Sequence, residues 1–300
     1  MSGASTPVTR GRRCARALLG TGLLSVLLLL LPSGVLEGQD GSFPYEAWTT
    51  DIGVLGLGGG LSAYGYWLQS RLDPITPEEL RELHPADINP FDRGATRNWS
   101  PGWNRRSDLA RDAVSAWALL FTGLEGVRAL SQGNGDDALA LAAVAGETAL
   151  LTLGVTAVTK GLARRKRPYA YNPALSVRER HRITSADPRK VFLSFFSGHS
   201  SGAFAAATFS STLFQDLHGT SAWSHLVWGS SLALAGFTAV ARVKAGMHYP
   251  SDVLVGSVVG AAVGYLVPAL HGRDDGEENG GRRPAASRIP LHLAFRIPFG

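Results

Sequence analysis

Three short segments of this 300-residue chain hold residues whose types and spacing could manage an anion. In the first, Lys160 closes an apolar stretch and is followed by Gly161-Leu162-Ala163-Arg164-Arg165-Lys166-Arg167-Pro168. Alone, such a run needs no ligand, because Lys and Arg at a helix C-terminus favour its negative dipole end and snorkel at a membrane interface. The second is Ser194-Phe195-Phe196-Ser197-Gly198-His199-Ser200, just ahead of another apolar stretch. A Ser-Gly turn there sets a hydroxyl and free N–H groups at a helix N-terminus, which suits an anion, although an ordinary serine cap has the same form. The third runs Arg242-Val243-Lys244-Ala245-Gly246-Met247-His248-Tyr249-Pro250-Ser251-Asp252. With a helix beginning near His248, Asp252 four residues on shares its face. The carboxylate can then hold the imidazole and leave the opposite nitrogen free to attack, while a histidine at a helix start has an equally plain structural reading.

The elements that must position these residues are long and apolar. Five Ala/Leu/Val/Gly-rich stretches, at about 109–130, 138–159, 200–214, 222–240 and 253–270, approach the ~20 residues that cross a ~30 Å hydrocarbon layer. A weaker sixth, 52–68, is interrupted by Gly58-Gly59-Gly60. Glu125, Arg128 and Glu147 lie inside these stretches, so a soluble buried bundle is the alternative to a membrane bundle. Strand alternation and two-residue hairpin signals are missing, which predicts an all-α fold: an antiparallel, transmembrane helical bundle with its site at one pole between helix ends. The short connections 131–137 and 215–221 require antiparallel neighbours. Lys160, Arg167, His199, Arg242 and His248 then emerge together, and a pole so rich in cations calls for an anionic partner. Phosphate fits arginine forks and helix N-termini alike.

A composition of 45% hydrophobic and 18% charged residues excludes a disordered or collagen-like chain. The single cysteine, Cys14, excludes a disulfide framework and a cysteine metal site. The net charge is +5, but residues 1–38 hold four arginines against Glu37, leaving 25 basic against 23 acidic residues, so no nucleic-acid partner is implied. Residues 1–38, with arginines before an apolar run and Pro32-Ser33-Gly34 after it, read as a secretory signal peptide or an uncleaved anchor. Residues 39–107 hold the weak helix and a proline-rich ordered cap, 108–270 the site-bearing bundle, and 271–300 a flexible tail with a short strand at 289–299. Trp99, Trp103, Tyr169 and Tyr171 either line an entrance or pack loops. Arg164, Arg165 and Lys166 are expected to face solvent or headgroups. Nowhere in the sequence do carboxylates or Cys/His cluster as divalent-metal sites do, and no cofactor is implied.

These segments resemble the type 2 phosphatidic acid phosphatase superfamily, which includes lipid phosphatases and secreted acid phosphatases. Its pattern is K-x6-R-P, P-S-G-H and S-R-x5-H-x3-D. Lys160, Arg167 and Pro168 complete the first; Ser197, Gly198 and His199 match the second with Phe196 in place of proline; Arg242, His248 and Asp252 match the third with Ala241 in place of serine. The resemblance implies a metal-independent phosphatase acting on a phosphorylated lipid, such as phosphatidic acid or an isoprenoid pyrophosphate. His248 would be the nucleophile that becomes phosphohistidine, Asp252 its orienting group, and His199 the general acid and base. Lys160, Arg167, Ser197, Gly198 and Arg242 would bind phosphate. The expected place is the inner membrane with the site toward the periplasm: with the leader exported, five crossings put the pole outside, and a spanning 52–68 helix moves it inside. The alternatives are a soluble periplasmic acid phosphatase, a vanadate-dependent haloperoxidase-like enzyme and an inactive membrane scaffold; oligomeric state is left open.

Overall fold

The computed structural model describes residues 43–185 and 187–272. The leader at 1–38 and the tail strand at 289–299 lie outside these residues. Among the described residues there are nine α-helices: α1 (Asp51–Ser70), α2 (Pro77–Glu82), α3 (Pro90–Arg93), α4 (Pro101–Ser131), α5 (Gly135–Ala163), α6 (Val177–Thr184), α7 (Gly198–His218), α8 (Ala222–Lys244) and α9 (Pro250–Leu270). They contain no β-sheet, only an isolated bridge between Tyr45 and Gly272. The all-α expectation holds, and the five strong stretches are α4, α5, α7, α8 and α9.

Prolines place several helix starts. Pro77, Pro90, Pro101 and Pro250 each occupy the first turn, where the missing N–H would have had no partner in any case. Ser100 caps α4 by accepting from the Trp103 N–H at 3.3 Å, so this helix begins eight residues before the apolar run at 109. The extra two turns carry polar side chains to the site.

α7 is the central helix and packs against α4, α5, α8 and α9. Burial on several sides explains its modest apolarity: it is built from small residues such as Ala203, Ala205, Ala207, Ser210 and Ser211, all buried. Thr208 and Ser210 satisfy their hydroxyls within the helix, donating to the Phe204 and Ala206 carbonyls at 2.8 Å each. Against α7 lies a glycine ladder on α9. A Cβ at Gly256 would run into Ser197, at Gly260 into the Ser201 carbonyl, and at Gly264 into Ala205 and Thr208. This four-residue spacing lets the two backbones touch and sets the start of α9 over the start of α7.

The weak stretch 52–68 is a helix after all. Its glycines are its packing surface: Gly58 meets Leu150 and Leu151, and Gly65 meets Ala157 and Val158. Gly154 and Gly161 of α5 answer with space for Leu61 and Leu68. Because 58 pairs with 150 and 65 with 157, α1 runs parallel to α5, a sixth long helix of the bundle.

The outward surface is apolar. Leu119, Val127, Leu130, Leu139, Val258 and Leu270 are exposed on the long helices, the reverse of a water-facing bundle. Among the described residues, α4, α5, α8 and α9 are long and apolar enough to cross a membrane. The protein is read as a membrane-embedded helical bundle.

Candidate active site

Five helix ends meet at one pole: the starts of α4, α7 and α9 and the ends of α5 and α8. The 71–100 and 164–197 connections close over it. The Gly246 turn, at φ +72°, brings the α8–α9 junction so near the cap that a Cβ there would collide with the Asn98 carbonyl. Asn98 in turn donates to the Val243 carbonyl at 3.0 Å.

His248 lies in this junction, 1% exposed. Its Nδ1 donates to the Ser194 carbonyl at 2.8 Å, which leaves Nε2 with the lone pair. Burial, then the nearby charges of Arg167, Lys160 and Arg242 and the His199 ring, hold the imidazole neutral far below its ordinary range. Asp252 is 3.6 Å from Nδ1, beyond hydrogen-bond length. It accepts instead from the Ser194 hydroxyl at 2.6 Å and the Tyr249 N–H at 2.9 Å. The direct His248–Asp252 bond expected from their spacing is thus replaced by a link through Ser194, because α9 begins at Pro250 and Asp252 caps it.

The other expected residues are brought to the same place. Lys160, at the end of α5, donates to the Leu193 carbonyl at 2.8 Å, and its Cε would be 3.5 Å from a Cβ on Gly198. Buried Arg167 holds the Lys190 carbonyl at 2.9 Å and those of Leu193 and Met247 at 3.4 Å each. Ser197 caps α7, its Oγ accepting from the Ser200 N–H at 3.3 Å, and its own N–H donates to the Asp252 carbonyl at 3.0 Å. Arg242 donates to Asn104 Oδ1 at 2.6 Å and Ser107 Oγ at 3.3 Å, while its buried Nε has no partner. An unpartnered, buried guanidinium N–H is a donor with a hydrogen bond still to make, and an anion's oxygen is a fitting acceptor for it.

His199, on the first turn of α7, has Nε2 2.8 Å from Asp108 Oδ1 and 2.8 Å from a terminal nitrogen of Arg111. One proton cannot serve both. With Nε2 protonated the ring donates to Asp108, and with Nε2 bare it accepts from Arg111. Each protonation state has its own partner, as a group that gives and takes a proton requires.

Several of these residues escape the sequence pattern. Asn104, Ser107, Asp108 and Arg111 come from the start of α4, polar positions at helical spacing ahead of the apolar run. Arg165, expected to face solvent, instead bridges two buried carboxylates: Asp252 at 2.6 Å and Asp92 at 2.8 Å. It also donates to Ser251 Oγ at 2.8 Å and lies 4.0 Å over the Tyr249 ring. Burial opposes the ionisation of Asp92, but hydrogen bonds from Arg165, Asn89 and Ser251 outweigh it and hold this carboxyl below its ordinary range. Burial raises the Tyr249 phenol. Trp99 and Tyr169 pack edge to face at 5.4 Å in a small core with Val191 and Met247, which is loop packing. Trp103 lies between Arg106 and Lys244, 4.8 and 4.7 Å from its ring. Phe196 and Ala241, the two departures from the family pattern, are both buried.

A different cluster contradicts the expectation that carboxylates and histidines do not gather. Asp51, Glu147 and His271, far apart in sequence, place one ligand atom each within 4.8 Å of the others. They lie away from the pole described above.

Residues 140–275 match the model of the PAP2 superfamily. Two curated relatives, both decaprenylphosphoryl-5-phosphoribose phosphatases of Mycobacterium tuberculosis (strains CDC 1551 / Oshkosh and ATCC 25618 / H37Rv), are 33% identical over 129 residues, 43% of this chain and 60% of theirs. The chain thus spans about three fifths of the length of these relatives. No solved structure matches it.

Proposed function

This chain belongs to the PAP2 superfamily, and from that premise we propose that it hydrolyses a phosphate monoester carried by an isoprenoid-type lipid, through a phosphohistidine. The observation that carries the reading is the His248 ring: Nδ1 is committed to the Ser194 carbonyl at 2.8 Å and Nε2 is left as a neutral nucleophile among fixed cations. In the first step Nε2 attacks phosphorus, the phosphorus–oxygen ester bond breaks, and the leaving oxygen takes the His199 proton. In the second, His199 removes a proton from water, whose oxygen attacks phosphorus and releases His248 and inorganic phosphate. Arg242, Lys160, Arg167, Ser197 and the Gly198 N–H are assigned to the equatorial oxygens, where charge gathers in a loose transition state. Asp252 acts on His248 through Ser194. The isoprenoid choice rests on the activity for which the relatives are named and on the apolar outer belt, which lets a long chain reach the pole from the bilayer. That belt also disfavours the soluble acid phosphatase reading.

Sidedness turns on α1, which follows α5 along its whole length. With α1, and with α7 carried across by its burial among its neighbours, added to the four apolar spans α4, α5, α8 and α9, six crossings follow an exported residue 43, and we place the pole on the cytoplasmic side, opposite to the five-crossing expectation. Loop charge supports this placement. Arg71, Arg81, Arg97, Arg178 and Arg182 are exposed at the site pole outside the phosphate cradle, whereas the opposite connections 132–134 and 219–221 carry no lysine or arginine. Labelling of single cysteines in a Cys14→Ser background tests it: Arg178→Cys should react with an impermeant thiol reagent only after cells are opened, and reaction in intact cells overturns it.

The activity is tested with the whole chain in detergent and chelator, measuring phosphate release from decaprenylphosphoryl-5-phosphoribose, phosphatidic acid, a polyprenyl pyrophosphate and p-nitrophenyl phosphate. Release is expected fastest from the polyprenyl substrates and absent in His248→Ala. Turnover surviving in that variant overturns the nucleophile, and a preference for p-nitrophenyl phosphate overturns the lipid substrate.

A further inference from the structure

We propose that Asp51, Glu147 and His271 form a binding site for one divalent transition-metal ion of the zinc type, a site separate from the catalytic pole. His271 ends α9, Asp51 begins α1 and Glu147 lies within α5, so the three join helices from distant parts of the chain. Each is buried. Glu147 is 13 residues before Lys160 on α5, which puts the cluster about 20 Å from the phosphate cradle at 1.5 Å per residue.

One ligand atom of each residue faces the other two. His271 Nδ1 donates to the Val267 carbonyl one turn back, at 2.9 Å, so Nε2 is the ring nitrogen that faces inward. Nε2 is 3.3 Å from Asp51 Oδ1 and 3.6 Å from Glu147 Oε2. Bonds of about 2.0–2.1 Å to a tetrahedral zinc ion put neighbouring ligand atoms about 3.3–3.5 Å apart, close to the two separations from His271 Nε2, and all three atoms lie within 4.8 Å of one another. Asp51 spends its other oxygen on the Trp48 N–H at 2.8 Å, which leaves Oδ1 pointing inward. Trp48 stacks on the His271 ring at 4.8 Å and holds its plane. Glu147 supplies the independent sign of a ligand: its Oε1 is buried without any hydrogen-bond partner.

Charge points the same way. Asp92 and Asp252 share an arginine at the catalytic pole, but no lysine or arginine is ion-paired with Asp51 or Glu147 among the described residues. Two carboxylates and an imidazole turned on one another are relieved by a proton or by a cation between them, and a divalent ion neutralises the set. The histidine's second nitrogen bonded to a backbone carbonyl is the usual outer support of a metal-bound imidazole. Such an ion would staple α1, which rests chiefly on α5, to the end of α9.

The competing occupant is a proton on Nε2, giving an imidazolium clamped by two carboxylates. The test uses the full chain purified in detergent without a histidine tag, dialysed against chelator and titrated with Zn²⁺ and with Co²⁺. One ion per chain, a tetrahedral Co²⁺ absorption band and a raised melting temperature are expected. Glu147→Gln, which keeps volume and hydrogen bonding, should weaken Co²⁺ binding by about tenfold or more, and Asp51→Asn should do the same. Absence of stoichiometric binding by the parent protein, or binding by Glu147→Gln equal to the parent, overturns the site in favour of the proton. The readout is metal content and stability, so it is independent of the proposed phosphatase activity.

Discussion

His248 and Asp252 stand four residues apart yet do not hydrogen-bond; 3.6 Å separates them, and Ser194 joins them. The Ser194 carbonyl takes the imidazole proton at 2.8 Å while its hydroxyl reaches the carboxylate at 2.6 Å. One residue of the loop before α7 therefore ties the α8–α9 junction to the start of α9.

That relationship makes Ser194→Ala informative. The variant keeps the carbonyl that orients His248 and removes the hydroxyl that anchors the loop to Asp252. Asp252 retains Arg165 and the Tyr249 N–H, so the fold should persist. Steady-state kinetics should show kcat lower by up to about tenfold, the rate equivalent of one lost hydrogen bond, with KM nearly unchanged. An unchanged kcat would remove Ser194 from the orienting chain.

Arg165 should matter more for stability than its place in a basic run suggests. Arg165→Gln leaves Asp92 and Asp252 both buried without their shared cation, and loss of one partner of a buried ion pair costs about 3–5 kcal/mol, less here because Arg165 keeps partial exposure. Thermal unfolding in detergent should fall by many degrees, with Arg165→Lys intermediate because an ammonium cannot fork to both carboxylates. Arg164→Gln, on an exposed neighbour, should melt as the parent does.

The two partners of His199 predict opposite pH effects. Asp108→Asn removes a negative charge that favours the protonated ring, so the alkaline limb of kcat/KM, where the general acid is lost, should move down by about one pH unit. Arg111→Gln removes a positive charge that favours the neutral ring, and the same limb should move up. Profiles that shift together, or do not shift, would exclude His199 as the proton donor.

Glycines on α1 divide into two kinds. Gly65→Val drives its side chain into the backbone of Ala157 and Val158 and should destabilise the bundle by about 1–3 kcal/mol or more. Gly59→Ala, where a Cβ meets nothing within 4 Å, should change stability by less than about 1 kcal/mol. Melting of the two variants side by side tests whether α1 is held by close backbone contact.

Much of this molecule was legible in one dimension. Long apolar stretches with short connections dictate antiparallel helices, because a chain that turns in a few residues must run back beside itself. That requirement alone put Lys160, Arg167, His199, Arg242 and His248 at one pole. The placement of Ser197 and Gly198 at the head of α7 followed from a common cap pattern, whereas the start of α4 at Pro101, eight residues ahead of the apolar run, did not show in the hydrophobic pattern.

What the sequence could not supply were partners chosen across the fold. Asp108 and Arg111 looked like the polar preface of an apolar helix, and only the packing of α4 on α7 turns them toward His199. Arg165 was one of four cations in a row, and direction from the loop after α5, invisible to spacing, points it inward to Asp92 and Asp252. The glycines of 52–68 argued against a helix by their backbone entropy, but close packing on α5 outweighs that penalty. Asp51, Glu147 and His271 show the same rule at its widest separation: short-range spacing is set by helical pitch, whereas contact between helices depends on which faces the core brings together.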